Sequence, residues 1–452
     1  MKKIMCGLLA CVALMGAVTA ANLLSEPGQS SVSAAQSAQS TAQEQRQPGE
    51  LPVLRIDTQG ERIYKESTTW ADVSIEEQSG GKNAFETLAT VKLRGNSSYY
   101  IFDKRQYRLK LYKSQTNDRD YGLFGMGEHS EWVLYGPFLD RSLVRNKLVY
   151  DLSREIMDWA PDSRYCEVYV NGEYQGVYLA VEPVTNGKAR LNLYEFGLLT
   201  GETAYVLKRD RSGTEENVIN DYGTREGKTD NELSVVYPSA SKLTQNQINW
   251  IEKDISAFEQ NLYSDGFKDA ARGYAAYIDV DSFVDYYLIN ELAMIPDASH
   301  LSTYVYKNIG GKLKLAVWDF NNGFDNYPWT DYETDRFFVA DGNWYDRLLQ
   351  DRAFVEKIVA RYRELRQGQW SDKELLARID GYVEALGDAP QRNFEVWGYT
   401  FEEDLLSKDE QGNSRDPESF EDAVGDLKAC LQERTAFLDA NIDQLYTYCV
   451  DE

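Results

Sequence analysis

The chain reads as an α+β protein, with a mixed or antiparallel sheet core followed by a helical C-terminal region. Three observations predict this class. Short segments of alternating polar and apolar residues, rich in β-branched and aromatic side chains, recur between residues 51 and 320. Asn171-Gly172, the strongest short hairpin signal, sits between two of them. Beyond Tyr327 the apolar residues fall at helical spacing instead.

The elements follow in order. Residues 51–56 form a first strand, and residues 90–94 form a second that ends in Gly95-Asn96-Ser97-Ser98. Residues 107–112 alternate as a third. Residues 141–156 have helical spacing through Leu143, Leu148, Leu152 and Ile156. Residues 165–182 read as a hairpin about Asn171-Gly172, and residues 204–207 as a further short strand. The polar stretch 211–240 reads as a long surface loop or insertion. Thr244 and Gln247 fit a capping box before a helix with Ile248, Ile251, Ile255, Phe258 and Leu262 on one face. Residues 282–294 are apolar and helix-like and lead into a loop at Asp297. Further on, Phe354, Ile358, Tyr362 and Leu365 share a stripe. Ser371 to Glu374 caps a second helix, and a third spans residues 417–445. No internal repeat is visible.

Composition narrows the function. The chain has 452 residues, enough for a large core, and a formal net charge of −25, which argues against nucleic acid as a partner. Lys2-Lys3, the apolar run 4–18 and Val18-Thr19-Ala20 make residues 1–20 a secretion signal. An uncleaved anchor over 4–24, or a lipobox at Leu8 to Cys11, is the alternative. Loss of Lys2 and Lys3 would take the charge from −25 to −27. Residues 21–50, rich in Ser, Gln and Ala, are a flexible tether. Residues 51–330 then form the α+β core and residues 331–452 the helical region. The expected location is secreted or cell-surface, with no membrane contact beyond such an anchor. Outside the leader remain Cys166, Cys430 and Cys449. Cys430–Cys449 is a candidate disulfide, against the plainer reading of three small buried hydrophobes. With only two histidines, His129 and His300, histidine-based metal sites and most Ser-His-Asp schemes are disfavoured.

The chemistry concentrates around residues 294–321. Residues 302–307 suit one strand, residues 312–317 suit another, and Gly310-Gly311 supplies the turn. Paired strands lie ~4.8 Å apart, so Asp297 and Asp319 meet at the open end of this hairpin. Two acids at one mouth can hold a divalent cation, or divide into a base and a metal ligand. The order helix, acidic loop, hairpin, acidic loop is also that of the protein-kinase catalytic core, with Asp319-Phe320 at the metal-binding position. A Gly-x-Gly-x-x-Gly loop and a Val-Ala-Ile-Lys strand are absent from the sequence.

Several segments together resemble the spore-coat protein H (CotH) family of secreted atypical kinases. They are Leu93-Arg94-Gly95-Asn96-Ser97-Ser98, Lys104 to Leu111, Asp140 to Asn146, Val170 to Tyr178 with Glu182, and Trp318-Asp319-Phe320. The resemblance implies an atypical kinase-like fold and transfer of phosphate from ATP, with Mg²⁺ or Mn²⁺, to Ser/Thr hydroxyls of a secreted or cell-surface protein. By position, Asp297 becomes the catalytic-loop aspartate and Asp319 the metal ligand. Lys104 becomes the phosphate-binding lysine, with Lys110 as its rival. Arg94 and Asn96 stand in the phosphate loop. Arg145 is placed as a phosphate neutraliser, or as a structural partner of Asp140. Glu182 is placed as the carboxylate that positions the lysine. His300 is a candidate lining residue.

The sequence departs from the kinase pattern at two points. Ser302 stands where the catalytic loop has its metal-binding Asn, and Asn321 where the family's tryptophan motif often has a second acid. Both offer neutral oxygens to a metal, which predicts weaker affinity, with Asn322 and Asp325 as nearby substitutes. The alternative functions are a kinase-derived surface or matrix binding protein without turnover, and carbohydrate binding or processing by paired acids among many aromatics.

Overall fold

The computed structural model describes residues 51–77, 84–194, 202–213, 216–330, 334–409 and 411–450. The expected leader and tether lie outside them. Among the described residues no helix is long and apolar enough to cross a membrane.

The first half builds a barrel. Strands β1 (Val53–Asp57), β2 (Thr69–Glu76), β3 (Phe85–Arg94), β4 (Gln106–Ser114), β5 (Asn117–Asp118), β6 (Glu131–Tyr135), β7 (Ser163–Val170) and β8 (Glu173–Val181) run in the order β3-β2-β1-β7-β8-β6-β4-β5. A further pairing of β3 with β4 closes seven of them into a ring, with β5 attached to β4. Only β1–β7 is parallel among these pairings, so the sheet is mixed. Period-two alternation explains the interior: Leu54 and Ile56, Val73 and Ile75, Ala89 and Val91, Leu109 and Leu111, Trp132 and Leu134 all point inward.

The opposite faces of β6 to β8 are also apolar, and Val133, Leu179 and Val181 join a second core with helix α2 (Arg145–Ile156). This helix begins four residues later than its periodicity suggests. Leu143 takes a left-handed φ of 61°, and Asp140 caps the turn by accepting from the Arg145 amide at 2.9 Å. A short helix, α1 (Ser97–Ile101), connects β3 to β4.

The second sheet has the order β10-β9-β11-β12, from β9 (Tyr205–Asp210), β10 (Glu232–Tyr237), β11 (Thr303–Lys307) and β12 (Lys314–Ala316). The stretch 211–240 is therefore not a plain loop. It contains helix α3 (Tyr222–Arg225) and edge strand β10, whose brief Leu233-Ser234-Val235 alternation was masked by polar flanks. Helix α4 (Gln245–Leu262) carries the expected capping box at Thr244 and Gln247. Helix α5 (Val280–Leu292) is buried along most of its length and delivers the chain to Asp297.

The C-terminal part comprises α6 (Tyr345–Leu348), α7 (Arg352–Arg366), α8 (Asp372–Leu386), α9 (Ala389–Trp397) and α10 (Phe420–Asn441). Helix α9, which the sequence reading lacked, packs on β8 of the barrel, whereas α7 and α10 pack on α5. The helical region thus touches both the barrel and α5. Cys166, Cys430 and Cys449 are free thiols, which corrects the candidate disulfide. Cys430 is instead packed against Met294, with sulfurs 3.6 Å apart.

Candidate active site

A cleft of about 610 Å³ opens between the β3–α1 rim of the barrel and the open end of the β11–β12 hairpin. Its size lies within the range of roughly 300–1,000 Å³ common for small-molecule sites. The hairpin register, Tyr304 opposite Ala316, brings the loops before β11 and after β12 to one end. Asp297 and Asp319 both line the cleft there. Strand β9 pairs with β11 so that Arg209 faces Thr303, which carries Asp210 to the same end. The floor is therefore a trio of acids, Asp210, Asp297 and Asp319. Sequence reading missed Asp210. Its signal was the short strand at 204–207, read as ending three residues too early.

Each carboxylate is held by backbone geometry. Asp319 adopts a left-handed φ of 68°, and its amide donates to the Tyr150 hydroxyl at 3.3 Å. The Phe320 amide donates to Asn146 Oδ1 at 2.8 Å. Two residues of α2 thus fix the turn that aims Asp319. The Asp297 carbonyl accepts from the His300 and Leu301 amides, at 3.0 and 2.8 Å, in a tight loop. Among the described residues, no hydrogen bond or ion pair engages either carboxylate; neighbouring charges act on them through space.

Electrostatics follow from this crowding. Desolvation, followed by repulsion from Asp319, pushes the Asp297 carboxyl up to about 6, while Arg211 and His300 oppose the rise. Burial also raises Asp319, against the pull of Arg94. Asp319 is exposed on the cleft surface, so it is reachable from the cleft.

The facing wall is basic. Lys65, Lys92, Arg94 and Arg108 line it from the barrel side, while Lys208 on β9 and Arg211 just after it flank Asp210 on the floor side. Arg94 accepts orientation from Gln106 Oε1, to which it donates at 2.9 Å, and lies over the Trp318 ring. Lys208 pairs with Asp210 at 2.5 Å. Arg211 donates to Ser97 Oγ at 3.0 Å, tying the second sheet to the loop that also holds Asn96. Asn96, Ser302, Asn321 and Asn322 also line the cleft, and Asn321 donates to Asn322 Oδ1 at 2.7 Å.

Other sequence candidates lie outside the cleft. Lys104 is 1% exposed and donates to Val177 O and Asn393 Oδ1, both at 2.7 Å. Burial holds its amine well below the usual lysine range. It joins β8 to α9, not the cleft. Lys110 pairs with Asp118 at 2.9 Å on the barrel wall. Glu182 pairs with Arg190 at 2.8 Å instead of with a lysine. Arg145 takes its structural reading, bonded to Asp140 at 2.8 Å and to Gly323 O at 3.0 Å. Asp325 is held by Arg415, and His300 by Asp230 at 2.9 Å. A second cavity, also about 610 Å³, lies beside Arg141, Arg145 and Asp416, and neither Asp297 nor Asp319 lines it.

A family model described as CotH kinase protein matches residues 91–438. The chain belongs to the CotH kinase protein family. The match runs from β3 through most of α10, so it includes every acid of the cleft floor. A search of curated proteins returned no match.

Proposed function

We propose that this CotH-family chain is an exported kinase of atypical protein-kinase-like fold, transferring the γ-phosphoryl group of ATP to Ser/Thr hydroxyls of a secreted or surface protein. The observation that carries the reading is the polarity of the cleft: three carboxylates on its floor face basic side chains on its opposite wall. A metal–triphosphate needs both, in one crevice. Lys65, Lys92 and Arg94 grip phosphate oxygens. Asp297, pushed up to about 6, is ionised at neutral pH and accepts the proton of the acceptor hydroxyl.

The donors also suit a hard divalent cation. Asp319, Asn321 and Ser302 offer oxygen alone, and among the described residues no group of three or more His, Cys, Asp or Glu forms a metal cage. Mg²⁺ favours such sparse sites because it keeps waters and phosphate oxygens as ligands. Bound there, it would supply positive charge to the transferring phosphoryl oxygens. The same sparseness supports the second reading, a binding protein without turnover.

Transfer assays on the full chain with labelled ATP and Mg²⁺ or Mn²⁺ separate these readings. Asp297→Asn is expected to lower kcat by about 10²-fold or more, as loss of a general base does, while Mg-ATP still binds. Wild-type chain that binds Mg-ATP but transfers no phosphate under any metal would establish the binding reading instead.

A further inference from the structure

The loop that carries Asp297 is held in an unfavourable backbone shape by residues far away in the sequence. Ser299 has a φ of 64° and is 2% exposed. A left-handed serine persists only where its surroundings impose it. Two contacts do so here. The Ser299 amide donates to the Tyr286 hydroxyl at 3.2 Å, from α5. The Ser299 carbonyl accepts from Asn343 Nδ2 at 3.0 Å, from the turn before α6. Asn343 is itself 6% exposed and fixed on its other side, where its Oδ1 accepts from the Asp230 amide at 2.9 Å. Its Nδ2 also reaches the Asp230 carbonyl at 3.1 Å. Gly342 lets this turn approach, because a Cβ there would stand 2.1 Å from Ser299 Oγ.

Resting on the kinase reading above, we infer that Asn343 and Tyr286 are positioning residues, which clamp Ser299 from both sides and so set the place of Asp297 in the cleft. The clamp joins three segments, α5, the Asp230 turn and the Gly342-Asn343 turn. Neither residue lines the cleft, so neither touches substrate. Their effect is on the geometry of the base, where small displacements are costly to rate.

The test uses the full chain and four variants: Asn343→Ala, Tyr286→Phe, Ser299→Gly and the double variant Asn343→Ala with Ser299→Gly. Asn343→Ala is expected to lower kcat about tenfold or more, with KM for Mg-ATP unchanged. Tyr286→Phe removes one oxygen and gives a smaller fall of the same kind. Glycine adopts positive φ without penalty, so the double variant recovers part of the kcat lost in Asn343→Ala. A merely structural role for Asn343 predicts lower stability with kcat per folded molecule unchanged. Amide exchange at His300 and Leu301 is read in parallel, and Asn343→Ala should quicken it about tenfold. Unchanged exchange in both Asn343→Ala and Tyr286→Phe overturns the clamp whatever the activity. An active wild type whose kcat survives both changes overturns the positioning role alone. A wild type without transfer overturns the kinase reading, and the exchange measurement then decides whether the clamp exists.

Discussion

The lining of the barrel interior and the surroundings of α5 differ in what they bury. The barrel interior is apolar on every strand that closes it, from Leu54 to Ala180. Around α5, by contrast, a whole charged pair is buried: Glu291 with Arg434, both 0% exposed at the side chain. The difference matches what each region has to do. A barrel closes by alternation, which needs only side-chain volume. An acid floor needs loops held in particular, costly shapes, and directional bonds do that better than apolar contact.

The largest effect is expected at Glu291. It accepts from the Phe338 and Val339 amides at 2.7 and 3.1 Å and from the Arg434 guanidinium. Glu291→Ala leaves a buried arginine without its counter-charge and is expected to cost about 3–5 kcal/mol, read by urea unfolding. A cost near that of an exposed substitution would show that the pair is dispensable.

Next comes the contrast between two cations. Arg94→Ala should weaken Mg-ATP binding about tenfold, because it removes a charge from the cleft wall. Lys104→Met keeps the stem and loses two hydrogen bonds, so it should cost about 1–2 kcal/mol of stability and leave Mg-ATP affinity unchanged. The reverse pattern in calorimetry would return the phosphate role to Lys104.

The smallest effect is on titration. As the general base, Asp297 must be ionised, so kcat/KM should fall with decreasing pH through about 6. Burial is the first cause of the raised value and Asp319 the second, so Asp319→Asn should lower it only in part, as followed by carboxyl carbon NMR. The sign for stability is the opposite of that for activity. The folded value lies above 3.8, so the retained proton favours the fold at low pH, and that contribution fades as pH rises through about 6.

Legibility in the sequence divided along similar lines. The hairpin, its two aspartates and the capped helix α4 were readable because each rests on neighbours in sequence. Closure of the barrel was not, since β3–β4 pairing is one register choice among many for alternating strands. Lys104 shows why a lysine entering a strand is ambiguous: a short offset along the chain sends it to α9 and not to the cleft. Asp210 reaches the site region through the pairing of β9 with β11, with only the short strand at 204–207 to hint at it, and Asn343 through a turn far from residues 294–321 that nothing local marks.

Isothermal titration of Mg-ATP into the full chain, wild type and Asp319→Ala, with EDTA as control, reads the nucleotide site itself. Metal-dependent binding that disappears with EDTA and with Asp319→Ala is the expected result. Binding that persists in Asp319→Ala, or no binding under any metal, would contradict a nucleotide site between the acid floor and the basic wall.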